Sequence, residues 1–311
     1  MVMHSTEIGG AGAYLFNAKV IGNSGDITGQ FVIFSSENIS GTQGHVSDVV
    51  VANNVVNVPD GFTGPSFANV TTWAGNNSVD VSRVLIVGNS FVTPAATINA
   101  AALTCGGTLN GMTFRSNYFD VRNAVFVEPS VAGVATLANF DWDESNVIGP
   151  RHNGQRSGIN LFEMRFASIN NSSIALKMSS EDTSMFSAIY FPATCAISFS
   201  KIRVAADFTA NMSNTIVFEN NQQTGVSVYA EYPATVNITS YANQGVVAYF
   251  STGATFAWVT SARPLTSGGT ADYQLPAAWT SKSNGQLIGL GFNEVGASRS
   301  GSVRLMLSRK L

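Results

Sequence analysis

Val49-Val50-Val51-Ala52-Asn53-Asn54 is a run of mostly β-branched residues that ends on paired asparagines. Leu85-Ile86-Val87-Gly88-Asn89 has the same form, as do Thr113-Phe114-Arg115-Ser116-Asn117 and Asp141-Trp142-Asp143-Glu144-Ser145-Asn146. Ala167-Ser168-Ile169-Asn170-Asn171 follows, then the weakest copy, Ile197-Ser198-Phe199-Ser200. Ile216-Val217-Phe218-Glu219-Asn220-Asn221 and Val236-Asn237-Ile238-Thr239-Ser240 close the series. With Asn53, Asn89, Asn117, Asn146, Asn171, Ser200, Asn220 and Ser240 as markers, the steps are 36, 28, 29, 25, 29, 20 and 20 residues. β-Branched and aromatic residues form strands, and asparagine tolerates the left-handed backbone that turns a chain sharply. A unit of this kind at such a period predicts stacked coils. Stacking should align the turn asparagines into a ladder of bonded amides, with unequal steps taken up as loops.

Over residues 10–250 the pattern resembles the right-handed parallel β-helix of pectate lyases and bacteriophage tailspikes. The fold expected is therefore all-β: a parallel β-helix over 1–250 and a small β-structured cap over 251–311. Arg263-Pro264-Leu265-Thr266-Ser267-Gly268-Gly269 marks the boundary, and Gln286–Phe292 and Ser302–Ser308 are spaced like antiparallel strands. An open solenoid end exposes strand edges and needs a cap. The resemblance implies that this cap also holds a homotrimer together. Coil strands read from residue 11 onward, so the chain is expected to enter the solenoid without the particle-binding domain that tailspikes carry first.

Charged residues make up 11% of the 311 and hydrophobic ones 45%. Disorder needs more charge and less hydrophobicity, so this chain should fold. A neutral surface suits carbohydrate or identical subunits. A net charge of −3 without a basic run argues against nucleic acid. No run of about 18 apolar residues is present to span a membrane as a helix. The start, Met1-Val2-Met3-His4-Ser5-Thr6-Glu7, lacks the basic and apolar regions of a signal peptide, so synthesis in the host cytoplasm is expected. Cys105 and Cys195 read as buried free thiols in preference to a disulfide.

His4, His45 and His152 are too scattered to suggest a metal, and no cofactor motif is present. The candidate chemistry lies in carboxylates on strands. In Phe140-Asp141-Trp142-Asp143 the two-residue period puts both aromatics on one face and both aspartates on the other, about 6.5–7 Å apart at the backbone. Leu161–Phe166 likewise turns Phe162, Met164 and Phe166 inward and Glu163 and Arg165 outward, and Phe119–Arg122 offers Asp120 and Arg122. Nearby, residues 147–160 form a loop with Arg151, His152 and Arg156.

Paired carboxylates can hydrolyse a glycosidic bond, one protonating the leaving oxygen and one activating water or attacking directly. Asp141 and Asp143 are the first candidate pair, with Glu163 as the alternative partner; Arg165, Arg151, His152, Asp120 and Arg122 would bind substrate. Asp48 and Asp60 rank behind them. Outward charges on a solenoid also pair with one another without any chemistry. A lyase would need a base and a charge neutraliser, which Arg151 and His152 could supply. The resemblance implies a virion tailspike that binds and depolymerises a bacterial capsule or O-antigen polysaccharide, in company with other tail proteins. Hydrolysis ranks ahead of elimination. The alternative is a non-catalytic structural or receptor-binding fibre component, and behind it a surface adhesin.

Overall fold

The computed structural model describes residues 2–7, 14–38, 44–73, 79–94, 99–127, 135–143, 147–148, 160–177, 186–205, 214–219, 223–224, 226–230, 235–240, 246–250, 255–259 and 287–291. Every ordered element among them is a β-strand. Nearly all pair in parallel with a strand one coil away, which builds sheets of ten, five and fifteen strands. The molecule is a parallel β-helix.

The ten-stranded sheet runs from Val2–Glu7 to Thr255–Val259. Its register stacks the buried Leu103, Val125, Phe162, Ile189 and Ile216 in one column. A one-residue slip would turn every member of that column to the other face, so apolar stacking fixes the register. The antiparallel pair among the described residues joins Val246–Phe250 to Leu287–Gly291, where the reading of Gln286–Phe292 expected such a strand. Ser302–Ser308 lies outside the described residues.

Two stacked bends shape each coil. At the first, Gly22, Asn53, Gly88 and Ser116 all have left-handed backbone, with φ of 71°, 54°, 66° and 53°. The residue after each forms the expected ladder. Asn54, Asn89 and Asn117 are buried, and each accepts from the coil before: Asn23 Nδ2 to Asn54 Oδ1 at 2.9 Å, Asn54 Nδ2 to Asn89 at 2.8 Å, and Asn89 Nδ2 to Asn117 at 2.9 Å. The ladder steps are 31, 35 and 28 residues. Residues 54–89 are thus one coil, which includes the strand Ser66–Trp73. Gly88 leaves room for its neighbour on the preceding coil, since a Cβ there would sit 2.6 Å from Asn53 Oδ1 and oblige that side chain to move.

A second bend runs through the fifteen-stranded sheet. Asn17, Asp48, Arg83, Gly111, Asn139, Asn171 and Phe199 occupy it on successive coils, all at positive φ. The marker series therefore mixes two corners: Asn53 and Asn89 belong to the first bend, Asn171 and Ser200 to the second.

Inside, Phe31, Phe67, Phe119, Phe114, Trp142 and Phe162 form a continuous aromatic stack with ring centroids 4.8–6.0 Å apart. Cys105 and Cys195 are free and buried, and burial pushes the Cys195 thiol up to about 12.

Candidate functional site

The sequence placed three groups of charges side by side, and the coil separates them onto three sheets. Asp141 begins the strand Asp141–Trp142 in the fifteen-stranded sheet. Asp120 ends Tyr118–Asp120 in the five-stranded sheet, and Glu163 ends Asn160–Glu163 in the ten-stranded one.

Asp141 and Asp143 do project outward, with Phe140 and Trp142 buried behind them. The structure adds a partner between them. Arg115, at the same strand end one coil earlier, puts Nη2 3.6 Å from Asp141 Oδ2 and Nε 3.3 Å from Asp143 Oδ2. All three side chains are partly exposed. Burial raises the Asp141 carboxyl above the usual aspartate range; the Arg115 charge opposes the rise and the Asp143 charge adds to it. A carboxyl that holds its proton more firmly, two residues from a second carboxylate, has the parts of an acid and a base or nucleophile.

Glu163 faces a different side. Arg165 Nε and Nη2 both lie 2.6 Å from Glu163 Oε1, and the Arg165 guanidinium carbon stands 5.9 Å from the Tyr190 ring centroid. Tyr190 is the next rung of this column. Burial, with a hydrogen bond to Glu219 second, pushes its phenol up to about 12. Glu163 is thus committed to Arg165 and lies on another sheet from Asp141 and Asp143.

Asp120 is not outward. Phe119, Asp120 and Val121 are all 0% exposed, because alternation stops where the short strand meets a corner and successive side chains turn inward. Arg122 is at the surface and donates Nη1 to Asn99 Oδ1. Arg151, His152 and Arg156 lie outside the described residues. Of the secondary candidates, Asp60 is exposed. Asp48 is held at about 2 by its bidentate bond to Arg83, 2.6 and 2.7 Å.

Sequence reasoning missed Arg115, Tyr190 and Glu219. Arg115 and Tyr190 stand in strands and Glu219 directly follows one, but the role of each depends on which rung it faces. Only the coil lengths could have supplied that. Among the described residues no group of three or more His, Cys, Asp or Glu is placed to hold a metal ion.

Two family models match the chain: the C-terminal part of the HK620 tail spike protein over residues 231–310, and the phage spike trimer over residues 100–176. Solved tailspikes of E. coli bacteriophage HK620 match it throughout. A double mutant is 38% identical with a TM-score of 0.68, and the protein in complex with pentasaccharide gives the same values. The chain belongs to the bacteriophage tailspikes. It is a component of a virion tail. A further HK620 mutant, in complex with hexasaccharide, is 39% identical with a TM-score of 0.65. Each match covers 96% of this tailspike chain and 50% of the solved one, so the chain spans about half the length of those relatives. No match was found among curated proteins.

Proposed function

We propose that this tailspike chain acts within a homotrimer to bind and cleave a bacterial surface polysaccharide, capsule or O-antigen, beside other tail proteins made in the host cytoplasm. The observation that carries the binding is its likeness, over 96% of its length, to tailspikes solved with a pentasaccharide and a hexasaccharide. The phage spike trimer model supports the assembly.

For cleavage, Asp141 and Asp143 are the pair to which roles can be given. Asp141, its carboxyl raised by burial, would protonate the leaving oxygen. Asp143 would activate water or attack the anomeric carbon, and Arg115 would keep both carboxylates pointed at the same bond. The second reading is a tailspike segment that binds without cleaving. Its support is the same Arg115, since a guanidinium between two carboxylates is also a complete surface ion cluster with nothing left to do.

The test is incubation with host capsular or O-antigen polysaccharide, following chain length, reducing ends and unsaturated-uronate absorbance. Shortening with new reducing ends and no absorbance identifies a hydrolase. Asp141→Asn and Asp143→Asn should then each lower turnover by about 10²-fold or more while leaving binding intact. Shortening with absorbance identifies a lyase and moves the chemistry to Arg151 and His152. Binding without shortening leaves the receptor-binding reading.

A further inference from the structure

The strip of the fifteen-stranded sheet that carries Asp141 continues past it, and its charge reverses. One column runs Thr113, Asp141, Ser173, Lys201 and Ser227 on successive rungs. Beside it Ala175, Arg203 and Tyr229 follow one another in a second column. Lys201 and Arg203 are exposed while Ile202 and Val204 are buried, so the two cations share the outer face of one strand. They sit about 6.5–7 Å apart at the backbone. Like charges on neighbouring positions of one face repel. Neither adjoining rung offers a carboxylate in either column, with Ser173 and Ala175 on one side and Ser227 and Tyr229 on the other. Arg83, Arg115 and Arg165 are placed differently, each within 3.6 Å of a carboxylate oxygen. Between the carboxylate rung and the cation rung lie two small side chains. Ser173 is half-buried and Ala175 is 8% exposed, so they form the floor of a notch. Arg115, Asp141 and Asp143 border it on one side, and Lys201 and Arg203 on the other. The two borders are two rungs, or about 9.5 Å, apart. Lys177, also exposed, follows the floor strand Ser173–Leu176.

We infer that this notch takes one unit of an acidic polysaccharide, a uronic acid whose carboxylate is held by Lys201 and Arg203. The inference rests on the polysaccharide reading proposed above and names the class of polymer. A guanidinium can take both oxygens of a carboxylate, and an ammonium beside it adds a compact point charge. The Ser173 hydroxyl on the floor both donates and accepts, which suits the hydroxyls of a sugar ring. The opposite border also gives the unit a direction. Asp141 and Asp143 repel its acid group, so that group turns toward Lys201 and Arg203 and the glycosidic link lies toward the two aspartates. A neutral unit would meet the same floor and leave the two cations unanswered.

The test measures binding of the full chain to a panel of host capsular and O-antigen polysaccharides, acidic and neutral, before and after carbodiimide–borohydride reduction of their carboxyl groups. The polymer bound should carry uronic acid, and its affinity should fall about tenfold or more on reduction. Lys201→Met combined with Arg203→Met should bind native and reduced polymer alike, with a denaturant midpoint no lower than that of the unsubstituted chain. Lys201→Arg should keep the preference for the native polymer. Preferred binding of a neutral polymer, or equal binding before and after reduction, overturns the acidic unit and leaves the polysaccharide reading standing. A preference that survives in the double variant overturns the assignment of Lys201 and Arg203. A chain that binds no polymer of the panel overturns the polysaccharide reading, and this inference with it.

Discussion

Arg115 is bracketed by two carboxylates, and the three charges set one another's behaviour. The Asp141 carboxyl lies above the usual value of 3.8 because burial penalises its charged form more than the Arg115 charge favours it. The folded chain therefore holds this proton more tightly than the unfolded one. Where the folded state binds more protons, stability falls as pH rises. The fall should begin near 3.8, continue through the raised Asp141 value and level off above it. Denaturant midpoints of Asp141→Asn, compared with the unsubstituted chain across that window, should lack this part of the fall. Arg115→Met removes the favourable charge and should move the Asp141 titration still higher, read from its carboxyl carbon shift. A downward move would mean that Arg115 is not the charge that matters. Asp48 shows the opposite balance in an exposed setting, where bonds to Arg83 and then Ser47 bring it down to about 2.

The corner of the coil is an element with its own logic. A left-handed residue turns the chain, and the asparagine after it joins that turn to the next one. Asn89 accepts from both the backbone N–H and the Nδ2 of Asn54, and its own Nδ2 donates to Asn117 Oδ1 and to the Val51 carbonyl. At 2% exposure it has no water to replace those bonds. Asn89→Ala should strand several buried donors and acceptors, at a cost of about 2–4 kcal/mol in unfolding free energy, measured by denaturant titration. A cost below about 1 kcal/mol would mean that water fills the gap and that the ladder is decorative. Further along the molecule serine fills the corresponding place at the other bend. The Ser172 and Ser200 hydroxyls accept from Phe140 N and Ser172 N at 3.3 and 3.4 Å, longer bonds than the amides make.

A solenoid distributes its stability along one axis, because each rung touches only its neighbours. Rungs in the middle are held on two sides. Among the described residues, the strands Tyr14–Phe16 and Lys19–Ile21 pair only with Gly44–Ala52, and Ser24–Asp26 only with Val55–Asn57. Tyr14, Phe16 and Ile21 are largely exposed on that rung. Amide hydrogen exchange should accordingly be fastest there and slowest in Val79–Val87 and Thr108–Arg115, which sit between neighbours and over the aromatic stack. Equal protection in both places would show that something else covers the first rung.

The coil was legible in the sequence because its causes are local. Runs such as Val49–Ala52 can only be strands, their terminal asparagines can only turn, and a repeat of the two can only stack. The alternation that turns Trp142 and Phe162 inward and Asp141, Asp143, Glu163 and Arg165 outward is likewise a property of single strands. Asp120 departs from it because a corner, not a strand, decides where its side chain goes. The grouping of charges could not be read in this way. Residues one coil apart are 28 to 35 positions apart at the asparagine ladder, and that length varies from coil to coil. Sequence proximity therefore put Glu163 beside Asp141, whereas the coil put Arg115 there and sent Glu163 to another sheet. Local chemistry determined what each strand shows to solvent, and the lengths of the loops between strands decided which of those residues meet.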